Sequence, residues 1–196
     1  MEYVKKTVLE ITSHIREVVE ELNEKDMECM IDMLIRSQRV FVHGVGRSGM
    51  VAKAFAMRLS HLKFQVFVVG ETITPAVKNG DLFIAISGSG ETGSVLNTTK
   101  SAKREGANIL TITSNRGSSI AKISDMVLRV KGRTKEDFKR KDYVSYQIRG
   151  LHEPLSPLGT LFEDTCQILL DGVIVELMRK LRKTEEDLAR THSNIE

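Results

Sequence analysis

The sequence has little of what marks a secreted or metal-stapled chain. Its two cysteines, Cys29 and Cys166, lie far apart without CxxC spacing, so a reducing compartment is expected and a disulfide framework is not. The five histidines are not spaced as metal ligands, and no metal is expected. No apolar core opens the chain at "MEYVKKTVLE". The most apolar helical stretch, Leu158 to Met178, is interrupted by Glu163, Asp164, Asp171 and Glu176. Neither a signal peptide nor a membrane partner is expected, and the expected localisation is cytoplasmic. Charge of one sign is scarce too. The net charge is +3 and the basic residues form no long tract, which argues against nucleic acid and leaves room for an anionic small molecule. Internal repeats, low-complexity segments and a Walker lysine are also missing, the last excluding a triphosphate loop.

What is present reads as one domain over 1–196, long enough to bury a sizeable core. Residues 1–37 read as helices. Val4, Val8, Ile11, Ile15, Val18 and Leu22 recur at steps of four and three, laying one apolar stripe along the first. A second runs from about Lys25 to Ser37. Across 39–130 the rhythm changes to short, nearly continuous apolar runs: "RVFVHG", "QVFVVG", "DLFIAIS", "NILTITS" and "DMVLRVKG". Strands buried on both faces look like this. Ser48–Leu62 and Ser94–Arg104 are helix-compatible, and Thr74-Pro75 predicts the start of a short helix after the second strand. The alternation predicts an α/β fold: a three-layer, doubly wound, five-stranded parallel sheet with an N-terminal helical segment and C-terminal helices. Residues 131–149 form a charged excursion that reads as exposed and mobile. From 158 a long helix runs to about Lys183, and Thr184 caps a last short helix before the tail "RTHSNIE".

Two glycine-rich loops follow strands, and in an open parallel sheet both belong on the rim at the strands' carboxyl ends. The first, "HGVGRSG", satisfies GxGxxG through Gly44, Gly46 and Gly49, with Glu71 placed where a ribose-binding acid would be sought. A nicotinamide-dependent oxidoreductase is therefore one reading. Arg47 and Ser48 in the same loop point instead to phosphate or polyol chemistry, and no second domain is evident to hold a hydride-transfer substrate. The second loop, "SGSGET", offers the hydroxyls of Ser87, Ser89 and Thr92, while Gly88 and Gly90 let backbone approach a ligand. A helix starting at about Gly93 turns its free N–H groups toward the loop, making a cradle for a monophosphate. The competing reading is a serine-capped turn.

"SGSGET" after the third strand, "GVGRSG" after the first, "FAMRLSHLKF", "VGETITP", "PLGTLFEDT" and the closing "HSNIE" together resemble the sugar isomerase (SIS) domain family, in its 6-phospho-3-hexuloisomerase branch. The likeness covers nearly the whole chain and is poorest at 131–149. It implies a ketose–ketose isomerase that interconverts 3-hexulose 6-phosphate and fructose 6-phosphate through an enediol, with no cofactor and no metal. It implies a phosphosugar substrate held by Ser87, Gly88, Ser89, Gly90, Glu91 and Thr92, with Arg47 and Ser48 touching the sugar or its phosphate. Glu163 matches the family's proposed base, and His192 matches a residue thought to reach a neighbouring subunit's site. A cytoplasmic homotetramer is implied, as is functional pairing with a 3-hexulose-6-phosphate synthase, in the ribulose monophosphate pathway or its reverse. A non-catalytic phosphosugar-binding module, or another SIS isomerase such as phosphoheptose isomerase, remains an alternative.

The chemistry is consistent with these residue types. One carboxylate poised over the sugar can move the carbon-bound proton if its pKa approaches working pH, and a histidine can shuttle protons between oxygens. Plainer readings stand beside this. Thr160 and Glu163 have the T-x-x-E spacing of a capping box, which would lower the carboxylate's pKa and leave Asp164 as the alternative base. His192 reads equally as a polar tail, and His61, a second candidate assistant, as a complement to a helix dipole.

Overall fold

The computed structural model describes residues 1–132 and 155–191. The charged excursion beyond Gly132 and the tail from His192 lie outside them. Two helices open the chain, α1 (Glu2–Glu20) and α2 (Glu24–Arg36). There follow β1 (Val40–His43), α3 (Arg47–His61), β2 (Val66–Val68), β3 (Leu82–Ile86), α4 (Gly93–Arg104), β4 (Asn108–Thr113), α5 (Ser119–Lys122) and β5 (Met126–Arg129). The chain closes with α6 (Thr160–Leu181) and α7 (Glu185–Ala189).

The strands pair in parallel in the order β2-β1-β3-β4-β5, as an α/β doubly wound sheet. Pleat alternation divides the side chains between two cores. Val40, Val42, Leu82, Ile84, Ile86, Leu110 and Ile112 point to one face, against α2, α3 and α6. Phe41, Phe83, Ala85 and Ile109 point to the other, against Val95 and Ala102 of α4 and Ile120 of α5. Because both faces are covered, the runs read as unbroken apolar stretches.

One expectation is corrected. The short helix at Thr74-Pro75 does not form, because its polar groups are satisfied without one. Thr74 Oγ1 donates back to the Val68 carbonyl at 2.7 Å, Arg39 Nη2 donates to the Ala76 carbonyl at 3.1 Å, and Lys78 N–H donates to Asp81 Oδ2 at 2.7 Å. The α1 stripe is only partly covered. Val18 is buried and Ile11 and Ile15 half-buried, whereas Val4 and Val8 stay exposed along with Tyr3 and Leu9. The C-terminal part of α1 packs on α6, and its N-terminal turns run past that support.

Candidate active site

Strand order reverses at β1, whose neighbours are β2 on one side and β3 on the other. The loops leaving β1 and β3 therefore diverge and open a crevice, as at the switch point of any doubly wound sheet. A cleft of about 350 Å³ occupies it, lined by Val45, Gly46 and Ser48 from the first loop and by Ile86, Ser87, Gly88, Ser89 and Thr92 from the second. Leu158, Gly159, Phe162 and Glu163 close the third side.

Among the described residues, three helices begin at this cleft: α3 after Gly46, α4 after Thr92 and α6 after Gly159. None of the three carries a side-chain cap. Of the helices outside the lining, α2, α5 and α7 are capped by Asn23, Ser118 and Thr184. Free N–H groups and positive dipole ends thus converge on one crevice, an arrangement that favours an anion.

The second loop is held open by its own hydroxyls. Ser87 Oγ lies 3.1 Å from Thr92 Oγ1 and accepts the Gly90 N–H at 3.1 Å. The Gly88 carbonyl is turned away from the cleft, accepting from Ser114 and Thr113. Gly90 and Glu91 stand behind the lining. Glu91 accepts the Ser119 N–H at 2.7 Å, which ties the loop to α5, and the Ser119 hydroxyl and N–H together lower its carboxyl pKa from the ordinary value. In the first loop, a Cβ on Gly44 would meet the Ser48 carbonyl oxygen at 2.6 Å, so that glycine serves tight packing of loop on helix. Glu71, the ribose-binding candidate, is instead paired with Lys53 at 2.6 Å.

Glu163 does not form the capping box its spacing allows. The N-cap is Gly159, in a left-handed conformation (φ +91°), which moves the helix start back one residue and turns Glu163 inward. A Cβ on Gly159 would lie 2.8 Å from Glu163 Oε2, so the carboxylate takes space that only glycine leaves. Ser48 Oγ donates to Oε1 at 3.2 Å. Oε2 is buried and makes no hydrogen bond, with Arg47 Nε 3.5 Å away. Burial pushes the Glu163 pKa above the ordinary value, against the lowering pull of Ser48 and Arg47. A carboxyl with a raised pKa and an idle oxygen in a polar cleft can exchange protons.

Arg47 itself lies outside the lining, its Nη2 donating to Asp164 Oδ1 at 2.8 Å. His61 is not part of this site. It ends α3, thirteen residues beyond Ser48 and therefore about 20 Å along the helix. Thr191 Oγ1 donates to its carbonyl at 2.9 Å, docking the end of the described chain there. His43 faces the other core, its ring centroid 6.3 Å from that of Phe83, and burial pushes its pKa down. His192 lies outside the described residues. Sequence reasoning missed Val45, Leu158, Gly159 and Phe162 as lining. The glycine directly before the T-x-x-E spacing was the available signal for the last three.

A protein-family model for the SIS domain matches residues 33–140. The chain belongs to the SIS family. It is 47% identical to an uncharacterized protein of Aeropyrum pernix over 97% of this chain and 92% of that one. It is 35% identical to a 3-hexulose-6-phosphate isomerase of Bacillus subtilis, over 96% of this chain and all of the relative. Among solved structures, a Methanococcus jannaschii protein, inferred to be a 3-hexulose-6-phosphate isomerase, superposes with a TM-score of 0.77 at 34% identity, each chain covered in full. The SIS match spans both rim loops, whereas Glu163 lies beyond it.

Proposed function

We propose that this SIS protein is a ketose–ketose isomerase interconverting 3-hexulose 6-phosphate and fructose 6-phosphate through an enediol. The observation that carries the reading is the Glu163 carboxylate, with one oxygen oriented by Ser48 and the other unbonded, in a cleft where three uncapped helix N-termini meet. The phosphate sits against Ser87, Gly88, Ser89 and Thr92 and the first N–H groups of α4, with Gly90 and Glu91 holding that loop in shape. Glu163 takes the proton from carbon 2 of the 3-ketose, leaving an enediol across carbons 2 and 3. A proton then passes from the oxygen on carbon 2 to that on carbon 3. Return of the carbon-bound proton to carbon 3 yields the 2-ketose. The route moves protons alone and draws on no cofactor or metal.

The oxygen-to-oxygen transfer falls to His192 of a neighbouring subunit. Thr191, docked beside His61, is the last described residue, about 20 Å along α3 from this chain's own cleft. This reading calls for a homotetramer, with a synthase of 3-hexulose 6-phosphate as functional partner in the cytoplasm, within the ribulose monophosphate pathway or its reverse.

The test is isomerisation of fructose 6-phosphate in deuterium oxide. Wild type places solvent deuterium on carbon 3 of the recovered ketose, and Glu163→Gln slows this by about 10²–10⁴-fold, the usual worth of a positioned acid–base group. Binding of the sugar without exchange in wild type would make the protein a phosphosugar sensor instead.

A further inference from the structure

The Arg47 guanidinium is shared unequally between two adjacent carboxylates. Nη2 meets Asp164 Oδ1 at 2.8 Å, while Nε stays 3.5 Å from Glu163 Oε2, which makes no hydrogen bond although it is buried. A guanidinium beside a partly desolvated carboxylate ordinarily closes on it through two parallel bonds. Here Asp164 has taken one arm of the fork and so prevents that. Glu163 is on the first turn of α6 and faces the cleft, and Asp164 follows it directly as the more exposed of the two.

We propose that Asp164 is a positioning residue that holds Arg47 off Glu163 and thereby keeps the proton-transferring oxygen free. The inference rests on Glu163 being the base, and it assigns Asp164 a role other than that of substitute base. Without Asp164, Arg47 closes on Oε2, the carboxylate becomes a weaker base, and the oxygen meant for the substrate proton is occupied.

The other charged or titratable groups around Glu163 do not share this role. On α6 itself Cys166 is fully buried, and its thiol is pushed up by burial and by the Glu163 charge. From α3 the neighbours are Arg47 and the neutral Ser48. Against α6 from α1, Glu10 is spent on the Ser156 hydroxyl and on the Leu155 and Ser156 amides, and His14 meets the Lys131 carbonyl. From α2, Asp32 pairs with Lys180 in the last turns of α6.

The test is a titration of the Glu163 side chain by carbon-13 NMR of glutamate-labelled protein, in wild type, Asp164→Asn, Arg47→Met and the double variant. The Arg47–Asp164 pair is substantially exposed, so Asp164→Asn retains the fold, checked by circular dichroism and melting. The expected result is a lower Glu163 midpoint in Asp164→Asn, with most of that drop absent when Arg47 is already methionine. The acid limb of kcat/KM moves down with the midpoint, and kcat on the plateau falls about tenfold with little change in KM. An unchanged or raised midpoint in Asp164→Asn overturns the proposal. So does an equal drop with and without Arg47, which would reduce Asp164 to a plain charge effect. A midpoint that falls while the acid limb stays fixed leaves the positioning intact and removes Glu163 as base.

Discussion

Burial of a carboxyl that must ionise gives Glu163 opposite effects on stability and on chemistry. Its folded-state pKa lies above the ordinary value, so between the two values the folded protein binds more protons than the unfolded chain. Stability from this group therefore declines as pH rises through that window, and the desolvation penalty is fully present above the raised pKa. Glu163→Gln is expected to raise Tm at pH 7.5 and to lose that advantage below the ordinary carboxylate pKa. Melting curves at pH 7.5 and pH 4 check both halves. Activity has the reverse dependence, since the base works only when ionised. The acid limb of kcat/KM should lie above the normal carboxylate range, and Ser48→Ala should move it higher still, because the Ser48 hydroxyl favours the charged form. A pH profile of the two proteins reads the shift directly, and a fall after Ser48→Ala would contradict the assignment.

At the scale of elements, the cleft depends on where α6 starts. Gly159 at φ +91° sets that start and leaves room for the Glu163 carboxylate. Gly159→Ala is expected to cost about 1–3 kcal/mol for the backbone conformation alone, read by urea unfolding. It should lower kcat more than a surface change of equal stability cost, because the new methyl displaces Oε2. The same element shows why the sequence was only partly legible. The five strands stood out because burial on both faces leaves an unmistakable apolar run. The two rim loops stood out because their glycines and hydroxyls have few other uses after a strand. T-x-x-E was ambiguous, since the spacing that builds a capping box also brings a carboxylate to a helix's first turn. Only the left-handed glycine before it decides between the two. The absent helix at Thr74-Pro75 was not legible, because Arg39, which caps the Ala76 carbonyl in its place, comes from a distant point in the chain. The partnership of Arg47 with Asp164 was hidden for the same reason: it links residues 117 positions apart.

Across the whole molecule, apolar side chains are left uncovered in register. Met50 and Met57 on α3, and Ile168 and Val175 on α6, stand seven residues apart on two helices packed side by side, all four exposed. With Tyr3, Val4 and Val8 of α1 they are the surfaces on which the proposed tetramer would form. Ile168→Glu with Val175→Glu is expected to reduce the assembled mass in sedimentation while leaving circular dichroism unchanged. If His192 serves a neighbour's cleft, activity falls with assembly. A dissociated variant of full activity would end that part of the reading.

The cleft's walls come from residues 45–48, 86–92 and 158–163, stretches far apart in the sequence that the fold brings together. A bound phosphosugar therefore adds a bridge between parts of the chain that otherwise meet through contacts such as Ser48 with Glu163. At a hundred times its dissociation constant it should raise the free energy of global unfolding by about 2.7 kcal/mol. That protection should reach amide protons in the centre of β3 as well as those of the loops, so the slowest-exchanging core would report occupancy of a site that it does not touch.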